Sequence, residues 1–254
     1  MIKIEHAYLT LGGRQVLNDV SFDLDEGDCG VMLGASGSGK TTMLRLILGL
    51  FRPDEGSVYV WGEDITKMDE AGLYRVREKM GMVFQGGALF DSQTVGENVG
   101  YRLIEKGKLT PSEIESRVRA GLRFVGLEDS IDLMPAELSG GMKKRVAIAR
   151  GIAAGPKLML FDEPTAGLDP LNTHNIVMLI KRLRTEEGVA SVVVTHDIAS
   201  AYKIASKIAF IDEGRILYNG SKEGLAACGD ERVRLFLKQS CFAPDDAGGL
   251  REVL

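Results

Sequence analysis

The chain has 254 residues, 44% of them hydrophobic, and a formal net charge of −5 at pH 7. A chain of this size can bury a substantial core, either as one large domain or as two small ones. Because the net charge is negative and the lysines and arginines are scattered, we expect no nucleic-acid partner. The chain also lacks a run of about 18 uncharged apolar residues, so no bilayer-spanning segment is expected.

The N-terminus and the cysteines bear on the cellular compartment. Residues 1–5 lead into polar sequence and not into the apolar stretch of a signal peptide. Cys29, Cys228 and Cys241 are far apart and lack C-x-x-C spacing, which argues against a disulfide framework or a zinc site. We therefore expect a cytoplasmic protein with reduced thiols.

The N-terminal stretch alternates apolar and polar residues over residues 2–9 and 16–24. This pattern predicts two strands of a hairpin, with a glycine pair in the turn between them. Tyr8 lies in the first strand, where its ring could stack on an adenine base. A tyrosine in a strand is by default a packing residue, so the residues alone leave both roles open.

The most specific motif is a loop that matches the phosphate-binding pattern G-x-x-x-x-G-K-[ST] at every fixed position. An apolar run over residues 29–33 predicts a buried strand before this loop, and residues 42–48 predict a helix after it. Glycines let backbone N–H groups converge on an anion, and the N-terminus of the helix adds partial positive charge. Lys40 is expected to reach the β and γ phosphates, and Thr41 to place its hydroxyl on Mg²⁺. The predicted nucleoside triphosphate site consists of Gly34, Ala35, Ser36, Gly37, Ser38, Gly39, Lys40, Thr41 and Thr42.

Two further strands are predicted at residues 57–62 and 80–84. The second is a buried strand that ends at Gln85, and ligands bind at the C-terminal edge of strands in an open α/β sheet. The amide oxygen of Gln85 could complete a metal shell or hold a water molecule. A solvated loop glutamine is equally compatible with the residues, so both interpretations stay open here.

Residues 94–154 change to a helical period with interspersed charges, which predicts a lobe of helices inserted between two strands. The last of these helices covers residues 143–150 and is preceded by Ser139, Gly140 and Gly141. A serine and two glycines at the start of a helix predict a second anion-binding site.

An apolar run over residues 158–161 ends in Asp162 and Glu163. This order predicts a buried strand that carries two carboxylates at its C-terminal tip. Asp162 fits as a partner of Mg²⁺, and Glu163 as the group that polarises the attacking water. Residues 164–170 predict a turn in which Asp169 is an exposed acid.

The C-terminal third alternates helices and strands. Residues 176–187 predict a helix, and residues 190–195 a strand that ends at His196. A lone histidine is more often structural than catalytic, but this one is expected at the sheet edge that carries Lys40 and Glu163. Residues 207–220 predict a hairpin with a Glu-Gly turn, and residues 233–238 the end of a short helix. For residues 240–254, disorder and docking on a partner both stay open.

Together, these residues resemble the ATPase subunit of ATP-binding cassette (ABC) transporters over residues 1–239. The resemblance implies an α/β fold: a P-loop NTPase core with a mixed, mostly parallel sheet and helices on both faces, plus an antiparallel β subdomain. An inserted α-helical subdomain is expected at about residues 86–154, and residues 240–254 would form a C-terminal tail. The motifs that follow the family order are the phosphate loop, Gln85, the Leu-Ser-Gly-Gly-Met segment at 138–142, the acid pair at 162–163, Asp169 and His196.

The resemblance also implies ATP and Mg²⁺ as cofactors and a head-to-tail dimer of two copies of the chain. ATP bound by Lys40 of one copy would be closed by Ser139 and Gly141 of the other. The implied ligands of Mg²⁺ are Thr41, Gln85 and Asp162. The other implied roles are adenine stacking for Tyr8, γ-phosphate sensing for Gln85, general base for Glu163, a cross-dimer contact for Asp169 and a γ-phosphate switch for His196.

A few substitutions narrow the resemblance to one subfamily. Met142 replaces the usual glutamine of the signature segment, and residues 87–90 are Gly-Ala-Leu-Phe. These features and the segment at residues 162–170 resemble the corresponding segments of the Mla-type ATPases, which serve the transport of phospholipids between inner and outer membranes. This implies a peripheral ATPase bound to a permease at the cytoplasmic face of the inner membrane. It also implies a partner with a mammalian cell entry (MCE) domain, a STAS-domain regulator on the helical lobe and a tail that crosses to the partner subunit.

Two other functions stay open. One is the ATPase subunit of an amino-acid, metal or lipoprotein transporter. The other is a soluble ABC ATPase that acts without a membrane. The chain lacks the coiled coil of DNA-repair members and the second cassette of translation factors, which leaves an ATPase of iron–sulfur assembly as the alternative of this kind. An ATPase subunit need not touch the cargo, so neither the cargo nor the direction of transport follows from the sequence.

Overall fold

The structure is a computed structural model and describes residues 1–240, 242–244 and 250–252. The chain divides into two units, one formed by Met1–Arg77 with the chain from Ala190 onward and the other by Glu78–Val189. The strands are β1 (Ile2–Leu11), β2 (Arg14–Leu24), β3 (Cys29–Leu33), β4 (Glu55–Val60), β5 (Glu63–Asp64), β6 (Met80–Val83), β7 (Leu158–Asp162), β8 (Ala190–Thr195), β9 (Lys207–Asp212), β10 (Arg215–Gly220), β11 (Phe242–Pro244) and β12 (Leu250–Glu252). The α-helices are α1 (Lys40–Ile47), α2 (Glu70–Arg77), α3 (Val95–Lys106), α4 (Pro111–Phe124), α5 (Gly140–Ala153), α6 (Pro170–Glu187), α7 (Ile198–Ile204), α8 (Lys222–Ala226) and α9 (Glu231–Gln239).

The first unit contains an antiparallel sheet with the strand order β2-β1-β4-β5. β1 and β2 form the predicted hairpin, with Ile4 opposite Phe22. Gly12 and Gly13 make the turn with positive φ angles, which glycine adopts without a steric cost. Every second residue at the start of β1 is buried, because alternate side chains of a strand point to opposite faces.

A second sheet of the first unit has the order β10-β9-β3-β8. β3 pairs in parallel with both β8 and β9, and β9 and β10 form the predicted antiparallel hairpin. All residues of β3 and β8 are buried, as expected for strands that are covered on both faces. Because these two strands run parallel, their C-terminal ends lie at the same edge of the sheet.

The second unit contains the parallel strand pair β6 and β7, in register from Met80 opposite Leu158 to Val83 opposite Phe161. The helices α3, α4 and α5 lie in the region predicted to be helical. Both α3 and α4 begin with a capping box in which a threonine and a glutamate exchange hydrogen bonds. The hydrogen bonds from Thr110 hold the pKa of the capping Glu113 below its usual range.

Two predicted boundaries in the second unit were wrong. α6 begins at Pro170 and not at residue 176, because Asp169 caps it by accepting a hydrogen bond from Asn172 N at 2.9 Å, and proline is favoured at the first helical position. β6 ends at Val83, so Phe84 does not extend the buried strand. The chain turns there through a hydrogen bond from Gly87 N to Phe84 O at 2.9 Å, and the Phe84 side chain is exposed.

The C-terminal part of the described chain consists of α9 and the short antiparallel pair β11 and β12. Cys29 and Cys228 carry free thiols, whereas Cys241 lies outside the described residues. Of the predicted tail, residues 245–249 and 253–254 also lie outside them, and its crossing to a partner subunit stays a prediction. Within the described ranges, no helix combines the length and the apolar character that a bilayer crossing requires.

Candidate functional site

The residues predicted to form the site belong to both units. The first unit holds the phosphate loop, Tyr8 and His196, and the second holds Gln85, the segment 139–141 that begins α5, and the acids at 162, 163 and 169. The bounds predicted for the helical subdomain stay a prediction. Each group of residues has a local geometry within its own unit that bears on its chemistry.

The phosphate loop connects β3 to α1 in the first unit. Lys40 is the first residue of α1, and its Nζ donates to Gly34 O and Ala35 O, both at 2.8 Å. Only 6% of Lys40 is exposed, although lysine is rarely buried. The loop therefore curls around its own ammonium group and holds a positive charge in its concave side.

No side chain caps the N-terminus of α1. The capping residue Gly39 has a φ of +112° and offers no side chain to the helix, and the first turn contains no acidic residue. A β-carbon at Gly39 would lie 3.0 Å from Leu17 Cδ2, so a larger residue would strain the turn and crowd the core. Phosphate oxygens commonly accept hydrogen bonds from the backbone N–H groups in the first turn of a helix.

The loop also contains a buried polar atom that fits an anionic ligand. The Oγ of Ser38 has no hydrogen-bond partner among the described residues, although buried hydroxyl groups are normally paired. A phosphate oxygen would supply that partner. The loop geometry, the buried ammonium and this hydroxyl together fit the phosphate groups of a nucleotide.

The hairpin turn between β9 and β10 supports the phosphate loop. Gly214 N donates to Ser38 O at 3.0 Å, and Gly214 O accepts from Asn18 N at 2.8 Å. The turn itself was predicted, but nothing in its sequence indicated this contact. Gly214 therefore ties the phosphate loop to the β1–β2 hairpin.

We expect Gly214→Ala to destabilise the protein by about 1–3 kcal/mol more than Gly62→Ala. Both glycines have φ angles of +74° to +82°, but a β-carbon would lie 2.3 Å from Val16 O at Gly214 and meet nothing within 4 Å at Gly62. Gly62→Ala is thus the matched control for strain alone. Urea unfolding measures the difference, and equal losses in the two variants would contradict a supporting role for Gly214.

His196 lies at the same sheet edge as the phosphate loop, as the sequence predicted. Thr195 ends β8 opposite Leu33, which ends β3 directly before the loop. Asp197 caps α7 through Ser200 and fixes the backbone after the histidine. The action of His196 on a γ-phosphate stays a prediction. Adenine stacking by Tyr8, which is half-buried in β1, also stays a prediction.

In the second unit, Gln85 and Glu163 each follow the last paired residues of β6 and β7 by two positions. Glu163 has a φ of +46°, which is uncommon for a residue other than glycine, and its carbonyl accepts from Ala166 N at 3.2 Å. Asp162, the last residue of β7, and Glu163 are both half-buried. The structure thus brings the predicted general base and the predicted sensor glutamine to one edge.

The signature segment and Asp169 also meet within the second unit. Ser139 caps α5 by accepting from Met142 N at 3.2 Å, so Gly140 and Gly141 begin the helix. A β-carbon at Gly141 would lie 2.3 Å from the Oδ1 atom of Asn172, whose side chain hydrogen bonds to Asp169. The backbone N–H of Asn172, and then its side-chain amide, donate to Asp169 and hold the pKa of that carboxyl below its usual range. The expected contact of Asp169 across a dimer stays a prediction.

The predicted magnesium ligands fit the ion by their chemistry. Thr41, Gln85 and Asp162 offer hydroxyl, amide and carboxylate oxygens, which are the donors that Mg²⁺ prefers. The described residues contain no group of three or more His, Cys, Asp or Glu side chains that could hold a metal ion by themselves. A metal that shares its shell between a few protein oxygens and substrate phosphates fits this composition.

Lys144 is part of this site, although no role was predicted for it. Its Nζ donates to the backbone carbonyls of both Gln85 and Glu163, the second at 3.4 Å. Residues 143–150 were predicted only to form a helix. The helical period could have predicted that Lys144 is buried. Ile148 and Gly151 follow it by four and seven residues, and all three lie on the buried side of α5.

Comparisons with known proteins give three findings. A family model described as ABC transporter matches residues 17–166. The intermembrane phospholipid transport system ATP-binding protein MlaF of Escherichia coli K12 is 41% identical over 237 residues, which cover 93% of this chain and 88% of that protein. The methionine import ATP-binding protein MetN of Carboxydothermus hydrogenoformans is 40% identical over 223 residues, 87% of this chain and 66% of that protein.

A solved structure shows the same fold. It is a dimeric ATP-binding cassette in a post-hydrolysis state, bound to ADP and phosphate, with a TM-score of 0.79 and 35% sequence identity. The match covers 87% of this chain and 98% of that one. The predicted α/β fold with mixed parallel and antiparallel sheets is therefore confirmed.

Proposed function

The chain belongs to the ABC transporter family of ATP-binding proteins, and we propose that it is the ATPase subunit of a phospholipid transporter. The observation that carries the cargo class is the 41% identity to a phospholipid-transport ATPase along 93% of this chain. The phosphate loop with the buried Lys40 supports ATP as the energy source. We place the protein at the cytoplasmic face of the inner membrane, where it is bound through its permease.

Binding of ATP would use the residues of the first unit. The backbone N–H groups of the loop and of the N-terminus of α1 donate hydrogen bonds to the phosphate oxygens, and Lys40 neutralises their charge. Thr41, Gln85 and Asp162 are the residues that would hold Mg²⁺, which when bound would supply positive charge to offset the negative charge that develops on the phosphates. Tyr8 would stack on the adenine ring.

Hydrolysis would use Glu163, the acid that directly follows β7. Glu163 orients a water molecule in line with the γ-phosphate and accepts its proton. His196 holds the γ-phosphate, and Ser139 and Gly141 of a second copy close the nucleotide from the other side. Two copies would therefore bind each other while ATP is intact and separate after the γ-phosphate is lost.

An exposed apolar surface of the second unit is the proposed docking place for the permease. This aromatic surface consists of Phe84, Phe90, Tyr101 and Ile104, which are 41–58% exposed. The rings of Phe90 and Tyr101 lie 4.7 Å apart, and they border a cavity of about 440 Å³. Clustered apolar residues on a surface indicate an interaction site, and an amphipathic helix of a membrane partner would bury them.

Purification of the tagged chain from detergent-solubilised membranes tests the proposed function. Recovery of a permease with an MCE-domain protein supports phospholipid transport, and a STAS-domain protein would identify the proposed regulator. The similarity to a methionine import protein keeps an amino-acid importer as a second candidate. A permease that depends on a solute-binding protein would favour that candidate, and soluble partners alone would overturn the transporter proposal.

We expect Ile104→Asp to reduce the amount of recovered permease by about tenfold or more, because it places a charge in an interface that excludes water. Leu235→Asp is the matched control, since Leu235 is an apolar residue of α9 in the first unit that is 52% exposed, against 58% for Ile104. The yield of permease per tagged protein, measured by mass spectrometry, checks the prediction. Equal yields for both variants would show that the aromatic surface does not contact the permease.

A further inference from the structure

A buried lysine joins three parts of the second unit. Lys144 lies in the second turn of α5, and only 6% of it is exposed. Its ammonium donates to the carbonyl of Gln85 and, at 3.4 Å, to the carbonyl of Glu163. The side chain of Lys144 in α5 thus binds the backbone of both Gln85, the predicted sensor, and Glu163, the predicted base.

The charges around Lys144 belong to the same site. Burial lowers the pKa of Lys144, and the carboxylates of Asp162 and Glu163 oppose that shift. A lysine is retained in such an environment only when its charge and its donors are matched. The carbonyls of Gln85 and Glu163 accept hydrogen bonds from the ammonium, and the carboxylates of Asp162 and Glu163 balance its charge.

A second cation of α5 holds the far end of the same loop. Arg150 donates to Gly87 O at 2.8 Å and to Ala88 O at 2.7 Å. Ala88 has a φ of +49°, which is uncommon outside glycine and is maintained by the surrounding contacts. The loop from Gln85 to Ala88 is therefore attached to α5 at both ends, and it lies between Phe84 and Phe90 of the aromatic surface.

We propose that Lys144 is a positioning residue that sets the orientation of Glu163 through its backbone. The carbonyl of Glu163 is held by Lys144 and by Ala166 N, and its φ angle of +46° leaves the backbone dependent on these hydrogen bonds. The same ammonium donates to the carbonyl of Gln85, so a displacement of the loop from Gln85 to Ala88 would alter the hydrogen bond from Lys144 to Glu163. This inference rests on the proposed function, in which Glu163 acts on the attacking water.

The test measures kcat and ATP affinity for Lys144→Met, which keeps the buried stem and removes the donors. We expect kcat to fall by about tenfold or more, because active-site groups must be held within a fraction of an ångström. ATP affinity is expected to stay within about twofold of the parent value, since phosphate binding depends on Lys40 and the loop. Lys143→Met, on the neighbouring half-exposed position, is the matched control and is expected to keep the parent kcat.

A purely structural role is separated by thermal unfolding and by a double variant. In a Glu163→Gln background, Lys144→Met is expected to add no further loss of kcat, because residues that act as one unit are not additive. A loss of the same size in both backgrounds, or a parent-like kcat with a lowered Tm, would overturn the proposal. If Lys144→Met does not fold by circular dichroism, Lys144→Leu, which also lacks a donor, is measured in the same assays with the same two outcomes.

The two proposals can fail separately. Glu163→Gln alone tests whether Glu163 is the base, so parent-like turnover in that variant removes the proposed function of Glu163 and, with it, the role of Lys144. If Glu163→Gln is inactive while Lys144→Met keeps the parent kcat, only the positioning role is overturned.

Discussion

Glu163→Gln is expected to lower kcat for ATP hydrolysis by about 10²–10⁴-fold, because the variant loses the group that accepts a proton from the attacking water. Glutamine has nearly the same shape, so the backbone at position 163, directly after β7, should stay in place. ATP affinity is expected to be retained. Phosphate release at saturating ATP measures the first quantity, and calorimetric titration with ATP measures the second.

The same variant makes a second outcome visible. Since hydrolysis would be needed to separate the two copies, Glu163→Gln is expected to accumulate as an ATP-bound dimer in gel filtration. Glu115→Gln, at an exposed position of α4, is the matched control and is expected to turn over ATP as the parent does. Phosphate release within a few-fold of the parent in Glu163→Gln would remove this residue from its assigned role.

Lys40→Ala is expected to weaken ATP binding by about 100-fold or more, because charge-assisted hydrogen bonds to phosphate are among the strongest in proteins. The loop is organised around this ammonium, which holds two of its carbonyls at 2.8 Å. The variant therefore also leaves Gly34 O and Ala35 O without these donors. Fluorescence titration with a labelled ATP analogue measures the affinity.

The control for Lys40→Ala is Lys67→Ala, which removes an exposed lysine of the same unit. Lys67→Ala is expected to bind the analogue with parent affinity. Circular dichroism and urea unfolding of Lys40→Ala show whether the fold is intact. A folded Lys40→Ala protein that binds ATP within a few-fold of the parent would contradict the assignment of the phosphate loop.

Elements with local causes were predicted well from the sequence. β3 and β8 were recognised as uninterrupted apolar runs, and both hairpins as alternating runs around glycine turns. The phosphate loop needs only residues 34–42, because its shape follows from glycine backbone freedom and from the helix that begins at Lys40. The start of α6 was misplaced despite a local cause, since Asp169 and Pro170 mark it in the sequence.

The support of the site was decided by packing. Lys144 and Gln85 are 59 positions apart, and no local preference links them. Gly214 meets Ser38 only because β9 pairs with β3. In the same way, Phe84 resembles a strand residue until the backbone turns at Gly87 and exposes its ring.

The sequence by itself determined the chemistry: which residues could bind phosphate, which acid follows a buried strand, and which family carries them in this order. Motifs of this kind act through neighbouring backbone groups, so a few residues contain the whole cause. Only the tertiary structure decided which groups hold those residues in place. Lys144 hydrogen bonds to Glu163, Gly214 to Ser38, and Arg150 to the loop that follows β6. The reason is that hydrogen bonds between distant segments depend on how helices and strands pack, and packing is a property of the whole chain.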